Sequence, residues 1–322
     1  MESIQIHGRR GPLRDALARS LVVLVVICPT IAVSWQVSRG LEIGTLSLGI
    51  YVAVALLLIA SEWLLAFDDH WGSLFRGRLT DFLYAGAASA VERLTFVACV
   101  TAVAAAGGWL AGAVGVQLWP GHWAFGFQLA AAMLIADAGM YFRHRLFHRS
   151  PRLWRFHQIH HSPTGLWWIR SAYTHPLEQL CIMLAMMFPI AFLGAGEVLI
   201  AVVAFVYGLS GLLQHANVDA RSSFLSFVFA TPEIHRIHHR ADEIGNSHNY
   251  SAFFVLMDHL FGTFCRPDPA ETHMDVGLEG VADFPGNFLT HMTLPFGPDT
   301  IGPGGGPQVL PEPVAALGPK QT

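Results

Sequence analysis

Four stretches of about twenty apolar residues each decide what this chain can become. They run near 17–36 (interrupted by Pro29), 45–67 (with a lone Glu62), 94–114 (uncharged) and 123–142 (with a lone Asp137). A helix needs about 20 such residues to cross the roughly 30 Å hydrocarbon core of a bilayer, and inside it every backbone polar group must be satisfied within the helix. A further apolar stretch, 177–214, is broken at Gly194-Ala195-Gly196-Glu197 and is long enough for two spanning helices or a re-entrant hairpin. Composition agrees: 53% of residues are hydrophobic and 13% charged, against about 25% charged in ordinary soluble domains. The expected fold class is all-α: a multi-pass integral membrane helical bundle, with negligible strand and no internal repeat. The first segment follows Arg9, Arg10, Arg14 and Arg19, and Ala32-Val33-Ser34 faintly resembles a cleavage site; the further spans favour an uncleaved anchor.

Basic residues set the expected orientation. Four Arg precede the first span, Arg76 and Arg78 lie between the second and third, and Arg143, Arg145, Arg149, Arg152 and Arg155 follow the fourth. The loop between the first and second spans contains only Arg39 and that between the third and fourth no Lys or Arg, so the positive-inside rule puts the N-terminus in the cytoplasm. A net charge of −4 without a basic stripe argues against a nucleic-acid partner. Four scattered cysteines offer neither a disulfide framework nor a CxxC metal site.

Against this apolar background stand three histidine clusters: His144-Arg-Leu-Phe-His148, His157-Gln-Ile-His160-His161 and His235-Arg-Ile-His238-His239. With 17 His in 322 residues, the eighteen positions 144–161 should hold about one, and they hold five. On a helix, residues i, i+3 and i+4 share a face, so each cluster aims its rings one way. Imidazole suits Fe, Zn, Cu or Ni, whereas Mg and Ca prefer oxygen, and eight such donors are enough for a pair of ions. Ser150-Pro151 and Thr231-Pro232-Glu233 read as helix starts, with Ser or Thr as N-cap and Pro as first helical residue. The first cluster is expected to prolong the fourth span, and all three are expected on the cytoplasmic side, as a histidine-rich helical cap.

The boxes HxxxH, HxxHH and HxxHH, in this order and with a long apolar hairpin between the second and third, resemble the fatty acid hydroxylase superfamily, which includes sterol desaturases, methylsterol oxidases, lipid hydroxylases and alkylglycerol monooxygenase. The likeness extends over about 130–265: Asp137; Leu153-Trp154 and His157, His160-His161-Ser162; Arg170 and His175-Pro176-Leu177-Glu178; Gln214-His215-Ala216-Asn217; Thr231-Pro232-Glu233 and His235; Asn249-Tyr250; and Asp258 with Phe261-Gly262-Thr263. It implies a membrane di-iron site, two Fe per chain, that uses O2 to hydroxylate or desaturate a C–H bond of a sterol-like, fatty acyl or alkyl lipid. The chain has no Cys-rich iron–sulfur run, no haem motif and no GxGxxG opening a βαβ unit, so electrons must come from a separate donor, a cytochrome or a ferredoxin with its reductase.

The expected metal ligands are His144, His148, His157, His160, His161, His235, His238 and His239, with His215 as a ninth at the end of the hairpin. His175 and Asp219 stay open as further ligands. Asp137, two turns before His144 on the same face, is expected to orient a ligand ring rather than to bind metal, and Asp258 to do the same for the third cluster or to cap a helix. Glu178 and Glu233 suit the dipole of a first helical turn, which is a sufficient reading of both. Trp167 and Trp168 suggest an aromatic belt or lipid entrance; His7, His70, His122, His259, His273 and His291 suggest interface or surface. The expected organisation is N-terminal transmembrane helices over 1–122, a catalytic domain over 123–266, and a cytoplasmic extension with a disordered Gly/Pro-rich tail over 267–322. A histidine-rich zinc protein, hydrolytic or structural, or a metal transporter with ligands strung across mid-bilayer, is the alternative.

Overall fold

The structure, a computed structural model, describes residues 11–42, 44–72, 78–267, 274–281 and 284–297. His7, Arg9, Arg10, Arg76, His273 and the tail beyond Gly297 lie outside the described residues. The chain is an all-α multi-pass membrane protein: among the described residues there are helices and two isolated bridges, and no strand.

The first traverse joins α1 (Pro12–Val22) to α2 (Cys28–Ser38) through a π turn at Val23–Ile27. Pro29 explains the widened turn, because its ring clashes with the carbonyl four residues back and it has no N–H to offer. Next come α3 (Gly44–Leu64), α4 (Arg78–Val114) and α5 (Phe125–Arg149). α4 starts well before the apolar run that announces it. At 37 residues it is about 55 Å long, so it protrudes from the hydrocarbon, and its charged Asp81, Glu92 and Arg93 belong to the protruding part and its boundary.

The apolar stretch after the second histidine cluster is two helices, α7 (Pro176–Phe192) and α8 (Glu197–His215), preceded by the short α6 (Pro151–His161). Gly194, at φ +93°, closes α7: its N–H bonds Ala191 O and that of Ala195 bonds Ile190 O, both at 3.0 Å. This double bond pattern is the Schellman stop, which requires a left-handed residue that glycine supplies freely. The turn lies against Trp119 of the α4–α5 loop, at the end of the bundle opposite the histidines. The stretch therefore runs the depth of the bundle and returns. Five helices, Pro12–Ser38, Gly44–Leu64, Leu79–Val114, Phe125–Arg149 and Glu197–His215, are long and apolar enough to cross a membrane, and α7 is a shorter apolar one.

α8 is the central helix, with Ile200, Val202, Val203 and Leu209 fully enclosed, whereas α3 and α4 present Leu48, Trp63, Leu94 and Trp109 outward. Such faces suit lipid, where close packing rather than hydrophobicity joins helices. α5 meets α7 where Pro189 has left the Ala185 carbonyl without its helical N–H; Gly139 packs onto that carbonyl, and any Cβ there would collide with it. Arg221, just after α8, donates to Ala18 O (3.1 Å) and pairs with Asp15 (3.2 Å), so the start of α1 shares one end of the bundle with the end of α8.

Beyond α8 lie α9 (Pro232–His238), α10 (Glu243–Ser247), α11 (Leu256–Leu260) and α12 (Phe288–Thr293). Ser150 caps α6 as its sequence suggests, accepting from Leu153 N–H at 3.5 Å, but Thr231 occupies the cap position of α9 with its hydroxyl buried and, among the described residues, without a hydrogen bond. Two surface expectations fail. His291 is fully buried and hydrogen-bonded to the Tyr84 hydroxyl (2.9 Å), and Trp167 is buried, donating its indole N–H to Asp81 (2.7 Å). α12 packs its Phe288 and His291 onto Tyr84 of α4, and Trp167 packs edge-on against Phe82 of the same helix.

Candidate metal centre

α5 carries His144 and His148 out of the bundle on its last turns, α6 turns back beneath it, α8 ends on His215, and α9 closes the site from the other side. All nine histidines singled out in the sequence converge, and all are buried. They divide into two groups: His144, His148, His157, His161 and His238, and His160, His215, His235 and His239, with the nitrogens of each group within 4.8 Å of one another. Each HxxHH box serves both groups. Its i and i+4 rings enter one group, and its i+3 ring crosses to the other: His160 leaves His157 and His161, and His238 leaves His235 and His239.

The nitrogens that face inward are Nε2. Separations are 3.0 Å for His144–His157 and His148–His157, and 3.2 Å for His148–His238 and His157–His161. In the second group they are 3.3 Å for His160–His215, 3.2 Å for His215–His235 and 3.1 Å for His235–His239. Two donors about 2.1 Å from one transition-metal ion, at angles of about 90–109°, lie about 3.0–3.4 Å apart, so the spacing fits shared ions.

The tautomers make the same point. Nδ1 of His144 donates to Tyr250 O (2.8 Å), of His157 to Glu178 Oε1 (2.5 Å), of His160 to Tyr173 O (3.2 Å), of His215 to Gly211 O (2.9 Å) and of His238 to His248 O (2.9 Å). A neutral ring has one N–H, so with Nδ1 protonated the facing Nε2 atoms of His144 and His157, and of His160 and His215, present lone pairs to each other with no proton between them. A cation between them resolves the repulsion. Burial first, then neighbouring rings, pushes the imidazoles of His157, His161, His235 and His239 well below their ordinary pKa, and holds those of His160 and His238 at about 3. The rings are thus neutral donors. Among the described residues the buried Nδ1 atoms of His161, His235 and His239 have no hydrogen-bond partner, and packing holds these rings, His161 stacked on His239 at 4.5 Å.

Several expected roles change. Glu178 does more than suit a helix dipole: fully buried, it accepts from both His157 Nδ1 and Arg143 Nη1 (2.8 Å). Asp137 touches no histidine; it accepts from Phe253 N–H (2.9 Å) and the Tyr207 hydroxyl (3.2 Å), because the loop over 249–254 lies between it and the rings. Asp258 accepts from the N–H groups of Tyr250 and Ser251, both at 2.9 Å, and from the Thr263 hydroxyl (2.7 Å). Both aspartates therefore hold the loop whose Tyr250 carbonyl orients His144. His175 caps α7 by accepting from Leu177 N–H (3.1 Å), and Asp219 lies near Arg221 (3.8 Å); neither belongs to the groups. Glu233 accepts from the N–H and hydroxyl of Ser222. Arg143 is the other residue that sequence patterning did not single out for the site.

Residues 129–263 match the family model described as "Fatty acid hydroxylase". In this segment the chain is similar to the fatty acid hydroxylase family. It is 36% identical to "Ornithine lipid hydroxylase OlsE" of Rhizobium tropici over 181 residues, 56% of this chain and 54% of that protein. "Methylsterol monooxygenase 1" of Rattus norvegicus is 30% identical over 42% of this chain and 47% of its own length, and "Alkylglycerol monooxygenase" of Danio rerio 29% over 41% and 29%. The matched part thus covers about half or less of these relatives. No solved structure matches the chain. The matched segment, 129–263, contains all nine clustered histidines, and Glu178, Asp137 and Asp258 as well.

A cavity of about 1310 Å³ adjoins this centre. His144, His157, His160, His215 and His235 line one end, and α3, α4, α7 and α8 wall the rest with mostly apolar side chains such as Phe96, Met183 and Phe205. Leu48 and Val52 of α3 and Val97 of α4 line it while remaining more than half exposed, so it opens sideways between α3 and α4 toward the lipid. Trp168, unlike Trp167, lies on its wall.

Proposed function

We propose that this chain is a membrane-bound di-iron, O2-dependent oxidoreductase that hydroxylates or desaturates a C–H bond of a lipid, using electrons from a separate cytochrome or ferredoxin-type donor. The observation that carries the reading is the division of nine neutral imidazoles into two adjacent groups at the blind end of an apolar, laterally open cavity. An iron pair, when bound, supplies O2 activation and the oxidising power needed for an unactivated C–H bond. His144, His148, His157, His161 and His238 would hold one ion, and His160, His215, His235 and His239 the other.

The chain's own contribution is orientation and exclusion. Glu178 and four backbone carbonyls keep the Nδ1 protons outward, so that Nε2 lone pairs face the metals. The cavity admits an apolar chain from the bilayer and keeps water from the reacting carbon. The arginines near the histidines, Arg145, Arg149, Arg152 and Arg155, support a cytoplasmic centre and N-terminus, the side on which cellular reductants are available.

Protein purified without oxygen after iron-replete expression is expected to contain about two irons per chain, one for each histidine group, and to consume O2 on addition of reductant and lipid. Zinc retained under those conditions, with no O2 uptake, would favour the hydrolytic or structural zinc protein instead. Lipid analysis of a deletion strain would then identify the substrate.

A further inference from the structure

Besides the Arg143–Glu178 pair next to the histidines, the cavity has a second charged stretch. Glu92 and Arg93 of α4 both line it, at the boundary where the uncharged run Leu94–Val114 begins; that run of 21 residues, about 31 Å, matches the hydrocarbon thickness, so the pair sits at headgroup level. Glu92 is fixed by the neighbouring helix α7. Its Oε1 accepts from Gln179 Nε2 at 3.1 Å, and Gln179 Oε1 in turn accepts from the Thr174 hydroxyl at 3.1 Å. Among the described residues Arg93 has no hydrogen-bond or ion-pair partner, and Glu92 has no cationic one. Ionisable side chains at a membrane cavity are costly to keep there without a task.

We propose that Glu92 and Arg93 form a headgroup site for a lipid that carries an ammonium and an anion on the same headgroup, the ammonium taken by Glu92 and the anion by Arg93. This rests on reading the cavity as the lipid substrate site. Arginine and carboxylate are complementary to such a zwitterion, and the sequence neighbours diverge by about 100° around α4, so they reach two points of one headgroup rather than each other. Gln179 follows Glu178 in α7, and Glu178 holds His157; the bound headgroup is therefore kept beside the histidine groups, with the acyl chains directed toward Met183, Met187 and Phe205.

Native mass spectrometry of the full-length protein in detergent tests the assignment with four probes: phosphatidylethanolamine, an acylated diamino-acid lipid with free carboxylate and amine, phosphatidylglycerol and diacylglycerol. The two zwitterions are expected to bind about tenfold or more tighter than diacylglycerol, and the tighter of them shows whether phosphate or carboxylate is the anion read. Glu92→Gln keeps an acceptor for Gln179 and is expected to remove the advantage of the zwitterions over phosphatidylglycerol; Arg93→Gln is expected to remove that of phosphatidylglycerol over diacylglycerol. Glu92→Asp should restore part of the first. Four probes bound alike by the unaltered protein, or the same ranking in both Gln variants, would overturn the site and leave the pair as interfacial anchors. Iron content, measured on the same samples, separates the two readings: a protein without iron that keeps the headgroup ranking retains this site and loses the oxidase.

Discussion

Replacing Glu178 by Gln should empty one histidine group and spare the other. The carboxylate is fully buried, His157 beside it is 2% exposed and Arg143 11%, and one oxygen accepts both N–H groups, at 2.5 and 2.8 Å. A glutamine oxygen can still accept there, so the variant removes charge with little change of shape. Hydrogen bonds to a charged group are worth about 1.5–3 kcal/mol against about 1 for neutral pairs, and the change leaves the Arg143 guanidinium buried without its counter-ion. Partners that orient a ligating imidazole typically account for 10–100-fold in metal affinity, or about 1.4–2.8 kcal/mol. That loss falls on the five-histidine group alone, because His157 is its member and the other group takes its orientation from Tyr173 O and Gly211 O. Iron per chain, titrated against a competing chelator, should therefore fall from about two toward one at limiting metal, with the thermal transition checked in parallel. Glu233→Gln, whose carboxylate accepts from the N–H and hydroxyl of Ser222 and has no hydrogen bond to a histidine among the described residues, is the matched control and should load like the unaltered protein. Full loading of Glu178→Gln at unaltered affinity, or equal loss from both groups, would refute the assignment.

His238→Ala and His160→Ala remove the crossing ring from the five- and four-histidine groups respectively; each should lose one ion and all lipid-dependent O2 uptake while still inserting in membranes, read by metal analysis and membrane fractionation. Acid should destabilise the metal-free protein: His160 and His238 titrate near 6.5 when unfolded and at about 3 when folded, so below pH 6.5 the unfolded chain binds more protons and stability falls continuously until pH 3. At pH 5 the loss is about 2 kcal/mol for each of the two rings, measurable as a falling denaturant midpoint, and a flat midpoint from pH 7 to 5 would contradict the buried neutral state. Gly139→Leu forces α5 away from the Ala185 carbonyl and is expected to cost about 1–3 kcal/mol or more, detected as a lower melting temperature.

The spans and the nine histidines were legible because both follow local periods: twenty apolar residues make a traverse, and i, i+3, i+4 spacing makes a face. What escaped depends on partners far along the chain. Glu178 looks like an ordinary first-turn carboxylate until α7 brings it to His157, 21 residues earlier, and Arg143, 35 residues earlier. The helical period puts Asp137 on the face of His144, but whether that face meets a ring or the loop carrying Phe253 depends on residues 116 positions away. His291 and Trp167 are buried by the packing of other elements around α4, which no local pattern announces. The start of α4 escapes a local reading for the opposite reason: hydropathy marks where a helix enters lipid, not where it begins.

The division of each HxxHH box between two groups has an electrostatic consequence. Nine neutral donors contribute no charge, and the nearest carboxylate, Glu178, is already matched by Arg143. Two divalent ions held there would carry about four positive charges into a buried site with no protein anion to offset them, in contrast to sites built from carboxylates. Such a centre favours the acceptance of electrons and of small anionic ligands, and it penalises any further cation nearby. Arg143 is tolerable only because Glu178 neutralises it. The carboxylate therefore has two tasks that cannot be separated by geometry, aligning His157 and cancelling the guanidinium. Arg143→Met would remove one of them: with the cation gone, the Glu178 charge is released to the metal side, and the five-histidine group should hold its ion more tightly in that variant even as the α5–α7 contact weakens.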